Sequence, residues 1–263
     1  MPSPIRIAVF GKTGSGKTSF VKCATGADLG VGDGGSSTTK HIQQAVVPPS
    51  KVGGRKVILT DTPGFSDTDL EDPELFLKLA NWLANSHNQG EPLNGAIFLQ
   101  PINQARVDKS EREAVTLFEN IVGTKGFPQV VVASSLWDTL ARTELGAKYE
   151  SNRKEVWQGL ESGGASFSRF HNTEASSLGI VRQFLDFPVT TFQLVEELRR
   201  LKGKVWSTSA ATFLQESINI KIRDLDEQVK IAGVTAYLNK TLKTLRGWLE
   251  RFQTAVVSQF RKP

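Results

Sequence analysis

The hydrophobic pattern of the chain alternates between short apolar runs and amphipathic stretches over its first 190 residues. The apolar runs are rich in β-branched residues and end at glycine or polar residues, which is typical of buried strands. The stretches between them carry apolar residues at helical spacing. This alternation predicts an α/β fold, with a mostly parallel sheet between two layers of helices. We place strands at 5–10, 41–47, 55–60, 95–100, 129–134 and 166–171, and helices at 17–25, 72–86, 110–122, 147–161 and 176–187.

The pattern changes after residue 190. Glycine becomes scarce, no proline occurs between Pro188 and Pro263, and Leu, Ile and Val recur at helical spacing as far as Phe260. We therefore expect a first domain at 1–190 and a C-terminal helical extension at 191–263, made of two or three helices. The extension either packs on the first domain or projects from it.

A glycine-rich loop lies between the first strand and the first helix. It satisfies the phosphate-binding pattern G-x-x-x-x-G-K-[ST], a three-layer P-loop NTPase signature. Its glycines let the backbone curl so that N–H groups point at phosphate oxygens, and the helix N-terminus adds partial positive charge. We expect Lys17 to reach the β- and γ-phosphates and Thr18 to ligate Mg²⁺. The pattern does not choose between ATP and GTP. The loop residues are Gly11, Lys12, Thr13, Gly14, Ser15, Gly16, Lys17 and Thr18.

A second motif follows the third predicted strand, which ends in Asp61-Thr62-Pro63-Gly64. An acidic residue at this place serves Mg²⁺, directly or from just outside its ligands. The alternative is that Asp61 only caps the end of the strand. The backbone N–H of Gly64 can meet a γ-phosphate, and because that contact exists only in the triphosphate state, it predicts a switch.

A third element is expected in the glycine-rich segment before the second strand. Thr39 has the right spacing to that strand to coordinate Mg²⁺ when a γ-phosphate is present, and Thr38 is the open alternative. The glycines at positions 30, 32, 34 and 35 fit a loop that becomes ordered only with nucleotide bound. We expect Lys17, Thr39 and Gly64 to support catalysis by positioning and charge.

These motifs resemble the septin and immunity-associated branch of the translation-factor-related GTPases. Within that branch, the chain is most similar to fungal single-domain proteins described as G-domain-containing. The resemblance covers about residues 5–200. It is carried by Gly11–Thr18, Thr39, Asp61–Thr68, the strand Gly95–Leu99 and the segment Ser134–Asp138.

The resemblance implies that Asp138 recognises the N1 and N2 groups of guanine, with GTP or GDP and Mg²⁺ as the bound cofactors. Ser135 and Leu136 stand where the family has Asn and Lys, so one polar contact and the lysine stem over the base are missing. Asp138 as a simple helix cap remains the alternative. The last base-contacting loop is expected at His171-Asn172-Thr173, with Asn172 as its binding residue.

Two further features concern catalysis. Phe65 stands where Ras-like proteins have the glutamine that orients the attacking water, and a phenyl ring cannot do this. We therefore expect slow intrinsic hydrolysis. The resemblance implies a nucleotide-dependent homodimer that meets across the nucleotide face, and Arg106 and Arg112 are candidate catalytic arginines from a partner.

Composition and charge narrow the remaining choices. With 39% hydrophobic and 22% charged residues, the chain has enough apolar residues for a core, and no apolar run is long enough for a membrane span. The single cysteine, Cys23, and the lack of a signal-peptide pattern predict a cytoplasmic protein. From Arg199 onward there are 13 Lys/Arg and 5 Asp/Glu, so the extension is either a solvated basic surface or a contact for an effector or a membrane surface. We expect no nucleic-acid partner.

Three functions remain in competition. The first is a slowly hydrolysing GTP switch, the second a nucleotide-binding scaffold without useful turnover, and the third an ATP-using P-loop NTPase. The altered base motif favours the third, whereas the absence of a basic lid segment in the sequence counts against a kinase.

Overall fold

A computed structural model describes residues 2–27, 42–65, 73–232 and 236–257. In these ranges the strands form one six-stranded sheet with the order β2-β3-β1-β4-β5-β6. Strand β2 is antiparallel to β3, and every other neighbouring pair is parallel. The strands are β1 (Ile5–Gly11), β2 (Gln43–Val47), β3 (Val57–Asp61), β4 (Gly95–Pro101), β5 (Val130–Ser135) and β6 (Ser166–Arg169). The predicted α/β fold with a mostly parallel sheet is confirmed.

Helices cover both faces of the sheet because alternate residues of each strand point to opposite sides. Ala8 and Phe10 of β1 join one apolar cluster, and Ile7 and Val9 join the other. The helices of the first 190 residues are α1 (Lys17–Thr25), α2 (Pro73–Asn88), α3 (Lys109–Val122), α4 (Glu144–Ser151), α5 (Lys154–Ser162) and α6 (Glu174–Arg182). The first cluster includes residues of α2, α3 and α5, and the second includes residues of α1 and α6.

Three helices follow residue 190 in the described ranges: α7 (Gln193–Arg200), α8 (Ser209–Ala232) and α9 (Ala236–Thr254). Leu194, Val195 and Leu198 of α7 belong to the same apolar cluster as α2 and α3. Helices α8 and α9 also form a separate cluster around Ile218, Leu225, Leu242 and Leu245. The extension therefore packs on the first domain, and its division at residue 190 stays a prediction. Across the described helices, length and hydropathy together fall short of what a membrane span requires.

Some predicted boundaries were wrong. The helix expected at 147–161 is two helices, and the chain bends between them at Asn152 and Arg153. The third helix is capped by Asp108, whose side chain accepts from the Glu111 N–H, so the helix begins at Lys109 and not at Ser110. The strand expected to reach residue 171 ends at Arg169.

The carboxyl ends of the parallel strands meet at one edge of the sheet, which is where ligands bind in open α/β folds. Gly11, Asp61 and Ser135 end β1, β3 and β5 at this edge. All the motifs singled out in the described part of the chain therefore converge on one place.

Candidate functional site

The glycine-rich loop curls around the ammonium group of Lys17. This side chain is only 6% exposed, and its Nζ donates to the carbonyl oxygens of Gly11 at 3.1 Å and Lys12 at 3.0 Å. Gly16 precedes α1 with φ of 90°, a left-handed conformation that glycine adopts without strain. A Cβ on Gly11 would lie 2.5 Å from the carbonyl oxygen of Leu99, so only glycine fits there. The loop thus presents a buried cation at the start of a helix.

Thr18 and Asp61 form the predicted metal-binding part of the site. The Thr18 hydroxyl donates to Oδ2 of Asp61 at 2.7 Å, although the two residues are 43 positions apart. Asp61 is fully buried, and its second oxygen, Oδ1, has no hydrogen-bond partner among the described residues. Burial raises the pKa of Asp61, while the Thr18 hydrogen bond and the charge of Lys17 oppose this rise. A hydroxyl and an unpaired buried carboxylate oxygen are ligands that Mg²⁺ prefers, so these residues fit the ion.

Gly64 lies directly against the phosphate loop. A Cβ added to it would collide with the Thr13 side chain and would lie 2.8 Å from Lys17 Nζ. The neighbouring backbone fixes this approach, because the Phe65 N–H donates to the Gly11 carbonyl at 3.1 Å and the Thr13 N–H donates to the Phe65 carbonyl at 3.3 Å. The segment after β3 therefore packs directly against the residues around the Lys17 ammonium group.

Phe65 is turned into the core. Its side chain is only 7% exposed and stacks on Phe10, with ring centroids 6.1 Å apart. Leu117 of α3 and Leu214 of α8 line a small apolar cavity beside it. The Phe65 ring therefore belongs to the apolar core, and its expected effect on the hydrolysis rate stays a prediction.

Asp138 and Asn172 meet at the other end of the site. Asn172 Nδ2 donates to Asp138 Oδ2 at 2.9 Å, and both side chains are exposed. Asn172 adopts a left-handed conformation with φ of 56°, which asparagine tolerates better than most residues. Cys23 Sγ lies 3.7 Å from Asn172 Oδ1, which places α1 beside both residues. The structure brings these two predicted base-binding residues together, and their roles remain predictions.

Ser135, which stands where an Asn was expected from the resemblance, contacts the phosphate loop. Ser135 donates from its hydroxyl to the Ser15 carbonyl at 2.8 Å, which ties the end of β5 to the loop. Leu136 has φ of 63°, and its Cδ2 would lie 3.8 Å from a Cβ on Gly16. The serine supplies a polar contact to the loop backbone, which the sequence reading did not anticipate.

The loop carrying Asp138 is anchored through Trp137. The buried indole donates to the Ser134 carbonyl at 3.1 Å, and the guanidinium of Arg169 lies 4.6 Å above its ring centroid. Arg169 in turn pairs with Glu150, which also accepts from the Ser134 hydroxyl at 2.6 Å. Asp138 therefore follows a tightly held residue.

Sequence reasoning missed a contact made by Lys12. Its Nζ donates to Asp108 Oδ2 at 3.2 Å and to the Ser110 hydroxyl. Burial alone would raise the pKa of Asp108, but hydrogen bonds from Ser110, the Glu111 N–H and Lys12 hold it below its ordinary value. Asp108 immediately before a helix is a capping signal in the sequence, whereas its distance from Lys12 required the fold.

The remaining predicted residues lie in different situations. Thr39, and its alternative Thr38, fall outside the described residues. Gly14 has φ of 77° with open space around its α-carbon. Arg106 is exposed and has no ion-pair partner among the described residues. Nη1 of Arg112 lies 4.0 Å from Oε1 of Glu155.

Comparisons of the sequence with known proteins find similarity to GTPases. Residues 6–131 match the sequence model of a family described as 50S ribosome-binding GTPase. The chain is also 22% identical over 271 residues to interferon-gamma-inducible GTPase 10 of Mus musculus, an alignment that covers 98% of this chain. This chain therefore spans about 60% of the length of that relative.

Two solved structures of Toc33 from Arabidopsis thaliana share the architecture. One contains Mg²⁺ and GMPPNP and is 15% identical over 70% of this chain and 84% of its own, with a TM-score of 0.52. The other contains GDP and Mg²⁺ and is 17% identical over 71% of this chain and 84% of its own, also with a TM-score of 0.52. The fold of the chain is therefore that of P-loop GTPases, with additional C-terminal helices.

Proposed function

We propose that this protein binds GTP with Mg²⁺ and acts as a nucleotide-dependent switch with slow hydrolysis. One observation carries the proposal: Gly64 packs against Lys17 and Thr13 so closely that a methyl group would not fit. A γ-phosphate held by Lys17 must contact this segment, and a diphosphate lacks the group that would do so. The two nucleotide states therefore differ at a defined point of the chain.

Each residue of the site has a chemical task in this proposal. The loop backbone and Lys17 bind the phosphates, and Thr18 and Asp61 hold the metal ion. Thr39 adds a ligand when the triphosphate is bound. Mg²⁺ supplies neutralising charge on the phosphate oxygens. Support comes from the free Oδ1 of Asp61 and from the relatives of this fold that contain GMPPNP or GDP with Mg²⁺.

Guanine selectivity is assigned to Asp138, assisted by Asn172. A carboxylate accepts hydrogen bonds from the N1 and N2 groups of guanine, whereas adenine offers no matching pair of donors. Binding of GTP, ATP and XTP to the wild type and to Asp138→Asn tests this. We expect the wild type to prefer GTP and the variant to gain relative affinity for XTP. A wild type that prefers ATP would contradict the proposal and favour the ATP-using alternative.

Slow turnover and help from a second copy are part of the same proposal. The buried ring of Phe65 supports a slow intrinsic rate, since a phenyl ring cannot orient the attacking water. We propose that the nucleotide faces of two copies meet and that Arg106, exposed on the loop after β4, contributes charge to the partner's site.

The GTPase rate per molecule should then rise with protein concentration. Arg106→Ala or Arg112→Ala should remove this rise, and Arg200→Ala, at an exposed position of α7, is the matched control. A rate per molecule that does not depend on concentration would eliminate the dimer. No measurable hydrolysis at any concentration, with tight GTP binding, would favour the scaffold alternative.

The helical extension is the proposed contact for an effector or a membrane surface. At the end of the α8–α9 hairpin, Ile231 is 88% exposed and Tyr237 is 74% exposed, and Lys230 and Lys240 are exposed near them. Apolar side chains beside basic ones suit an anionic lipid surface. Sedimentation with phosphatidylserine vesicles, compared between the wild type and Ile231→Asp/Tyr237→Asp, tests this, and equal recovery of the two proteins would refute it.

Two further predictions stand with this proposal. The similarity to the septin and immunity-associated branch, and to fungal single-domain members of it, is supported by the motifs at Gly11–Thr18 and Asp61–Gly64. A cytoplasmic location is supported by the single, unpaired Cys23. A fluorescent fusion found in a secretory compartment would contradict the location.

A further inference from the structure

Arg153 is a fully buried arginine at the bend between α4 and α5. Its exposed fraction is 0%, which is rare for a guanidinium group. The sequence pattern predicted a continuous helix here, and instead the chain bends at Asn152 and Arg153. A buried charge needs partners that compensate for its lost hydration. The contacts of Arg153 therefore indicate which parts of the chain the bend holds together.

The guanidinium of Arg153 holds two separate parts of the chain. It binds Glu111 through both carboxylate oxygens, with Nε to Oε2 and Nη2 to Oε1 each at 3.0 Å. Its Nη1 donates to the carbonyls of Gln104 at 3.1 Å and Tyr149 at 2.8 Å. Asn152 adds a hydrogen bond from Nδ2 to the Ala105 carbonyl at 2.8 Å. The loop after β4 is therefore fastened at consecutive residues.

On one side, this network reaches the phosphate loop. Glu111 lies in the first turn of α3, and the cap of that helix, Asp108, accepts a hydrogen bond from Lys12 Nζ. Ser110 accepts another from the same ammonium group. Any shift of the α3 N-terminus would pull on Lys12, the second residue of the phosphate-binding motif.

On the other side, the network reaches the base-binding loop. Tyr149, whose carbonyl binds Arg153, is followed by Glu150, which accepts from the Ser134 hydroxyl at 2.6 Å and pairs with Arg169 at 2.6 Å. Ser134 and Arg169 both hold Trp137, the residue before Asp138. The contacts of Arg153 therefore link the supports of Lys12 and those of Asp138.

We infer that Arg153 is a positioning residue that sets the distance between the phosphate loop and the base-binding loop. The inference rests on the proposed GTP binding. A buried ion pair of this kind is seldom retained for stability alone, because well-packed apolar residues of similar volume often stabilise a protein as well or better. The value of the Arg153–Glu111 pair lies in its fixed, two-pronged geometry, which lysine cannot reproduce.

The test uses the double variant Arg153→Met/Glu111→Leu, which removes both charges and keeps apolar volume, and the single variant Arg153→Lys. Affinity is measured for GTP and for inorganic tripolyphosphate, which has no base. We expect the double variant to fold and to bind GTP about tenfold more weakly, with a smaller loss for tripolyphosphate. Asn152→Ala, at an exposed position, should also weaken GTP binding more than tripolyphosphate binding. Its loss of affinity should be smaller than that of the double variant.

Equal losses for GTP and tripolyphosphate in a folded variant, or unchanged GTP affinity, would overturn the inference. Hydrogen exchange of the nucleotide-free proteins provides a readout that does not depend on GTP. In the double variant, faster exchange is expected both at 103–108 and at 136–139, while exchange in β1 stays unchanged. If the wild type binds no GTP but this exchange pattern appears, the proposed function fails while the linkage stands. If the wild type binds GTP and the pattern is absent, the linkage fails.

Discussion

Asn172 donates a hydrogen bond from its side-chain amide to the carboxylate of Asp138, with 2.9 Å between Nδ2 and Oδ2. The two residues are 34 positions apart and lie on different loops. The contact orients the carboxylate of Asp138. The proposed base recognition would therefore depend on two loops that must keep their relative position.

Replacing Asn172 with alanine should weaken GTP binding about two- to tenfold. The reason is the loss of one solvent-exposed hydrogen bond, worth about 0.5–1.5 kcal/mol, which otherwise preorganises Asp138. Isothermal titration calorimetry measures the change. Asn120→Ala is the matched control, because Asn120 bonds only the Thr116 carbonyl of its own helix in the described contacts. Unchanged GTP affinity in Asn172→Ala would show that Asp138 needs no such support.

Replacing Gly64 with alanine should separate the two nucleotide states. The added methyl group would press on Thr13 and on the Lys17 ammonium, where we propose that a γ-phosphate binds. We expect affinity for GMPPNP to fall more than tenfold while GDP affinity changes much less. Gly247→Ala in α9 is the control, since nothing lies within 4 Å of the added atom. Equal loss of both nucleotides would argue against a γ-phosphate sensor.

Replacing Glu119 with glutamine should change how stability depends on pH. Burial raises the pKa of Glu119 above its ordinary value of 4.5, and α5 passes so close that a Cβ on Gly159 would lie 2.5 Å from Oε1. The folded protein therefore binds this proton more tightly than the unfolded chain. The contribution of this proton to the free energy of unfolding is fully present below pH 4.5, and it is lost as the pH rises through the pKa of Glu119 in the folded protein.

Glu119→Gln removes this loss, so the variant should gain stability relative to wild type between pH 4.5 and neutrality. Urea unfolding at several pH values measures the difference. Glu155→Gln, with a side chain that is 79% exposed, serves as the control and should leave the pH profile in place. A constant difference between Glu119→Gln and wild type across this range would contradict the prediction.

Replacing Phe252 with alanine should destabilise the whole protein by about 3–5 kcal/mol. Phe252 is fully buried and packs edge-to-face on Phe76 of α2, with ring centroids 5.8 Å apart. Because α7 and α9 share a core with α2, unfolding should remain one cooperative transition. Tyr237→Ala in the same helix should cost less than about 0.5 kcal/mol, because that side chain is exposed. Two separate transitions would favour an independent domain after residue 190.

The success of the strand predictions has a physical cause. A strand buried on both faces must be apolar along its whole length, so β1, β4 and β5 are visible as continuous runs. The bend at Arg153 was missed because helical spacing of apolar residues continues through it, and the partners that Arg153 binds there, Glu111 and Gln104, are distant in sequence. A local sequence pattern carries no information about a contact with a residue that is distant in sequence.

The candidate site also combines features that the sequence predicted with features that only the structure showed. The phosphate loop was readable because a bound phosphate requires glycines, a lysine and a hydroxyl at consecutive positions of one turn. The support of the loop by Asp108 and the contact of Ser135 with Ser15 were not readable, because each joins residues far apart in the chain.

By itself the sequence determined the α/β class, the phosphate loop and the placement of Asp61 and Gly64 after a buried strand, because each is a local requirement of backbone geometry or chemistry. Only the tertiary structure decided that Gly64 rests on Lys17, that Asn172 meets Asp138, and that Arg153 is buried with Glu111. Those relationships follow from how the parallel strands bring their carboxyl ends to one edge and from how the helices pack around it.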